Sequence, residues 1–178
     1  MTISAIIFAG LLSLAQMGHA VRWLCLDEYT REQAVLGVRW GSHELLNDPQ
    51  RIEQIAQAAI DAGLANNVDP LLVLAVAWRE SRLLAEVSTL SKRGQRGELG
   101  LLQLTGAAKR GCNLNTIAGQ FDCGAKWLRA KIDECNGDEI GGLSLYMTGK
   151  SCRHIDPAER RHQLYQTMRK VVSDGTND

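Results

Sequence analysis

Residues 71–78 read LLVLAVAW, a run of side chains without charge, hydroxyl or amide. Opened by Asp69-Pro70, this run predicts a helix that is apolar nearly all round. Such a helix belongs at the centre of a domain, because every side of it must be covered. The run ends in Arg79 and Glu80, and a carboxylate there has two readings. It is an ordinary residue where the helix leaves the core, paired with Arg79 or Arg82. Or it is an acid whose proton affinity is raised by burial, as a proton-donating carboxylic acid requires near neutral pH.

The flanking segments supply covers for the central helix. Ile52, Ile55, Ala56, Ala59, Ile60 and Leu64 fall on one helical stripe, closed by Gly63 or by Asn66-Asn67. Phe121, Ala125, Leu128 and Ile132 fall on another. Residues 139–149 form a short apolar run ending in Thr148-Gly149, and Asp156-Pro157 opens a polar final helix. Between residues 85 and 111 lie Gly94, Gly97, Gly100 and a cluster of charge, which predicts a long loop or β-like excursion, with a helix resuming near Leu101. No strand alternation of any length and no repeat occurs. The class is mostly α, and 178 residues fit one domain.

Acidic and basic residues balance at 20 each, so no charge field points to nucleic acid. Trp outnumbers Tyr and Phe. Trp127 is expected to pack its helix, and Trp78 fits a core position or a cleft wall equally well. His19, His43, His154 and His162 are scattered without an H-x-x-x-H pair, so neither metal nor cofactor is expected. None of Cys25, Cys112, Cys123, Cys135 and Cys152 forms a CxxC pair, which removes zinc spacing. Two disulfides in an oxidising compartment fit better than five reduced thiols in a cytosolic protein. Cys112 with Cys123 and Cys135 with Cys152 would close short loops, spacing alone leaves the connectivity open, and Cys25 is left over.

Residues 1–22 form a hydrophobic N-terminal segment. Three readings stand for it: a signal cleaved after GHA, a retained membrane-active or membrane-anchored segment through residues 3–21, and a buried helix in an assembly. Arg22 follows the apolar run and no Lys or Arg precedes it, the wrong charge order for an ordinary signal. Residues 23–50 read as an extension and 51–178 as the main domain.

Three separated pieces now line up: ESRL at the end of the apolar helix, GLLQL at residues 100–104, and LYMTG at residues 145–149, after a GAKWL helix. In this order they resemble the soluble lytic transglycosylase family. Its pattern is Glu-Ser, then Gly-Leu-Met-Gln, then an Asn-Ile…Gly…Tyr-Leu helix, then Ala-Tyr-Asn-x-Gly. The resemblance covers about residues 50–150. It implies a lysozyme-like fold that cuts peptidoglycan glycan strands, exported to the periplasm or envelope, or carried in a virion or secretion machine.

Residue by residue, the resemblance makes Glu80 the single acid/base, followed by Ser81. Gln103 faces the substrate, with Gly100 before it and Leu102 in place of the usual methionine. Tyr146 orients the glutamate, and Gly149 closes the motif. Met147 stands where the family has asparagine, and the loop before Gln103 is long and basic, with Lys92, Arg93 and Arg96. A goose-type-lysozyme-like hydrolase would use a second carboxylate, for which Glu86 and Glu98 are the candidates. A third reading is a structural component of an envelope-penetrating machine with weak activity.

Overall fold

Three of the described helices begin at Asp-Pro pairs, Asp48-Pro49, Asp69-Pro70 and Asp156-Pro157. A computed structural model describes residues 12–35 and 42–174. In chain order the elements are α1 (Leu14–Val35), α2 (Ser42–Leu46), α3 (Pro49–Asn66), α4 (Pro70–Ser81), α5 (Ala85–Ser88), a 3-10 turn (Gly106–Lys109), α6 (Ile117–Glu134), α7 (Glu139–Thr148) and α8 (Asp156–Asp174). Asp48 accepts from the Arg51 N–H and Asp69 from the Leu71 N–H, each with proline opening the helix. A side chain that accepts an otherwise unpaired amide at a helix start contributes about 1 kcal/mol. Among the described residues the protein is mostly α and has no strand. The excursion after α5 holds an isolated antiparallel bridge, Leu99 with Leu104.

α4 is the central element. Every residue from Leu71 to Trp78 is buried, and α3, α6, α8 and α1 pack around it. Each buried Leu or Val contributes about 1.5–3 kcal/mol relative to exposure, so this helix supplies much of the hydrophobic stabilisation. α6 lies along α3 and also touches α7. Phe121, Ala125, Leu128 and Ile132 all face the core, as their spacing predicts. On α3 the stripe departs at one end: Leu64 is 47% exposed, because the buried face turns through Ala58, Ala62 and Gly63 instead. No helix resumes at Leu101; residues 101–104 are a tight turn, and α6 starts only at Ile117.

The end of the N-terminal segment belongs to this fold. Met17, Ala20, Val21, Leu24 and Cys25 on α1 are buried, and α1 packs on α2, α3, α4 and α8. Residues 3–11 of the apolar run lie outside the described residues, as do 36–41. Among the described residues no helix is long and apolar enough to cross a membrane.

Cys112 is bonded to Cys123, and Cys135 to Cys152. Bonds of this kind form and persist in oxidising, exported environments. They anchor the two ends of α6: the first ties it to the preceding loop, the second ties its C-cap to the segment before α8. Cys25 is buried and lies outside both disulfides.

Candidate functional site

α4 stops just beyond the carboxylate. The Ser81 hydroxyl donates to the Ala77 carbonyl at 2.9 Å and accepts from the Leu83 N–H at 3.2 Å. Arg82 follows in the left-handed conformation, its N–H returning to the Trp78 carbonyl. From α3, Arg51 donates to the Leu83 carbonyl (2.6 Å) and to the Ser88 hydroxyl (3.2 Å). Burial lowers the Arg51 pKa, and the Asp48 and Glu44 charges oppose that shift. This bracing fixes the turn after Glu80, so Glu80 sits at the mouth of the helix and is partly exposed. Ser81 itself is buried under that turn and serves backbone groups.

Glu80 borders a cleft of about 720 Å³. Its other walls come from the glycine-rich loop (Gly94, Arg96, Glu98), from Gln103 and Thr105, from Trp127 and Lys131 on α6, from the end of α7 (Tyr146 to Gly149) and from Arg161 on α8. Of the residues expected from sequence, Glu80, Gln103, Tyr146 and Gly149 therefore meet here, along with Met147. Gly149 adopts φ +66 as the C-cap of α7, a conformation that favours glycine. Gln103 is held at φ +49, and its side-chain amide donates to the Gly100 carbonyl at 2.9 Å.

Leu102 and Gly100 lie behind the cleft wall. Leu102 is fully buried against Gly124, where a Cβ would collide with it, so this glycine allows the turn to approach α6. The turn is held from within α6 by Gln120. Its buried amide donates to the Ser88 carbonyl (2.7 Å) and the Leu114 carbonyl (2.8 Å), and its oxygen accepts from the Leu101 N–H (2.9 Å). Sequence reasoning passed over Gln120. The available signal was a polar residue on the same helical face as Gly124 and Leu128.

Among the ion pairs of the described residues, Glu80 is not joined to Arg79 or Arg82, and Arg82 lies over the Trp78 ring at 5.6 Å. Instead Arg161 Nη2 donates to Glu80 Oε1 at 2.7 Å, with the two side chains 11% and 19% exposed. The reason is that α8 packs along α4, so that Arg161 reaches Glu80 at its C-terminal end while the Tyr165 hydroxyl donates to Asp69 at its N-cap. Tyr146, expected to orient Glu80, borders the same cleft, and its hydroxyl donates to the Leu102 carbonyl at 2.6 Å. Burial raises the Tyr146 pKa, the nearby Glu80 charge adds to that shift, and Arg161 opposes it.

Trp78 is buried core. Trp127 packs partly buried against the core, as expected, and also lines the cleft, with Lys131 Nζ over its ring at 4.2 Å. Of the two further carboxylates, Glu86 pairs with Lys92 at the surface. Glu98 lines the cleft. Hydrogen bonds from its own backbone N–H and that of Arg96 hold its carboxyl below the usual range, and the Arg96 and Lys109 charges add to this. Arg96 is the cation of the basic loop that borders the cleft; Lys92 and Arg93 do not.

The arrangement places the carboxyl groups of Glu80 and Glu98, the Gln103 amide and the Trp127 ring around one cleft. Comparison of the chain with protein-family models, curated proteins and solved structures finds no match.

Proposed function

We propose that this chain is a peptidoglycan lytic transglycosylase of lysozyme-like fold, exported to the periplasm or envelope, where it opens the wall locally for a secretion machine or a phage particle. One observation carries the reading: Glu80, Gln103 and Tyr146, from three distant segments that each match part of a transglycosylase motif, border the same cleft. The two disulfides agree with export.

Glu80 protonates the oxygen of the β-1,4 bond between muramyl and glucosaminyl residues, and the C1–O bond breaks. The substrate's own 2-acetamido group stabilises the sugar cation. The muramyl 6-hydroxyl then attacks C1 and returns its proton to Glu80. The product is a 1,6-anhydro sugar and no water is consumed. One carboxyl serves as acid and then as base, so no partner carboxylate is needed. Gln103 and the Trp127 face are suited to hold the glycan.

Glu98 favours a second reading. An ionised carboxylate across the same cleft is what a hydrolase needs to activate water or stabilise the cation. Mass spectrometry of muropeptides released from purified peptidoglycan by the wild type and by Glu80→Gln separates the two. Anhydro ends, about 18 Da lighter than reducing ends, with at least about a hundredfold loss in the variant, are expected for the transglycosylase. Reducing ends, lost in Glu98→Gln, would establish the hydrolase instead. No release by the folded wild type would sink both and favour a structural component.

A further inference from the structure

The buried face of α8 contains a cation. Ala158, Arg161, Tyr165, Met168 and Val172 recur at three- and four-residue spacing and are all buried. Four of these pack as apolar or aromatic bodies, but the Arg161 guanidinium is spent on polar groups: Nη2 on Glu80 Oε1 and Nη1 on the Pro157 carbonyl at 3.3 Å. Nε is buried and has no hydrogen-bond partner among the described residues. A guanidinium is costly to bury, so its retention here needs a reason other than packing. The Tyr146 phenol in the same cleft donates to the Leu102 carbonyl, whereas Arg161 donates to the carboxylate itself. α8 also lies beyond the stretch, about residues 50–150, that carries the family resemblance.

We propose that Arg161 is the positioning residue of Glu80. This rests on the transglycosylase reading for its use in catalysis. A planar, permanently charged fork carried on a packed helix fixes one carboxylate oxygen at the cleft. The other oxygen, Oε2, then carries the transferable proton. Charged or titratable groups lining the same cleft are Tyr146 from α7, Lys131 from α6, and Arg96 and Glu98 from the glycine-rich loop. Among the described residues, the cation paired with Glu80 is Arg161, from α8.

The test uses the full chain with Arg161→Met, Arg161→Lys and Glu80→Gln, each first checked for folding by circular dichroism. Carboxyl-carbon NMR of glutamate-labelled protein follows the Glu80 titration, and Glu80→Gln identifies its resonance. Arg161→Met removes the cation that favours the carboxylate form and should move the midpoint to higher pH, and Arg161→Lys should restore most of it. The alkaline limb of muropeptide release should move the same way, with kcat reduced about tenfold or more and KM little changed. Should Arg161→Met not fold, Arg161→Gln takes its place. An unmoved Glu80 midpoint overturns the proposal, whatever the activity. A moved midpoint in a protein that releases no muropeptide keeps the pair and removes the transglycosylase reading. A moved midpoint with unchanged kcat also overturns the positioning role.

Discussion

Gln120→Leu is the most demanding test of how the cleft is built. Leucine matches the shape of glutamine but removes two donors and one acceptor. The Leu101 N–H and the Ser88 and Leu114 carbonyls then lose the partner they have now. A buried polar group left unsatisfied costs about 1–3 kcal/mol, and water cannot replace a side chain that is 0% exposed. Summed over the three groups, with some relaxation of the loop, the loss should be about 3–6 kcal/mol. That is a large part of the roughly 5–15 kcal/mol that holds a domain together. For a chain of this size it corresponds to a fall in Tm of about 6–20 °C. Urea and thermal unfolding followed by far-UV circular dichroism on the oxidised protein measure it. Gln120→Glu should be similarly destabilised at pH 7, where a carboxylate would face two carbonyls, and less so in acid, where it regains a donor. A loss below about 1 kcal/mol for Gln120→Leu would refute the claim that this amide holds the cleft loops together.

Further expectations follow from the same geometry. Gly124→Ala pushes a methyl into Leu102; it should cost about 1–3 kcal/mol and lower muropeptide release by displacing Gln103, and normal release would show that the close approach is dispensable. Met17→Ala should cost about 2–5 kcal/mol because the side chain is fully buried; a change under 1 kcal/mol in urea unfolding would mean that α1 adds little to the fold. Reducing both disulfides should lower the urea midpoint, each bond contributing about 2–4 kcal/mol. Tyr146 and Tyr165 both have raised pKa values, chiefly from burial, with the Glu80 and Asp69 charges adding. The unfolded chain loses these protons near pH 10 and the folded chain later, so stability is full below about pH 10 and falls above it. Phenolate absorbance should accordingly develop together with unfolding; early titration of both phenols in the folded protein would contradict their burial.

What could be read along the chain was local. Asp69-Pro70 and Asp156-Pro157 open helices as their sequence predicts, because the signals that start a helix lie within one turn of each other. The apolar stripes of α3 and α6 were legible for the same reason, apart from Leu64. The parts that were not legible depend on which elements cross. That Arg161 meets Glu80 is decided by α8 packing along α4, and that Tyr146 meets Leu102 by the turn before α6. Yet two of the missed residues left a trace. Gln120 and Arg161 each occupy a position where the helical stripe calls for an apolar side chain, and a polar residue there is a sign of a buried partner.

The disulfides join consecutive cysteines, Cys112 to Cys123 and Cys135 to Cys152. A chain that emerges N-terminus first into an oxidant can therefore reach its native pairing simply by joining thiols in order of arrival, without later isomerisation. One thiol threatens that order: Cys25 arrives first and would otherwise capture Cys112. In the folded protein its burial on α1, which packs on α2, α3 and α4 ahead of Cys112 and on α8 beyond Cys152, keeps it away from the later cysteines. Loosening α1 would therefore show as mispaired, cross-linked chains as well as lost stability.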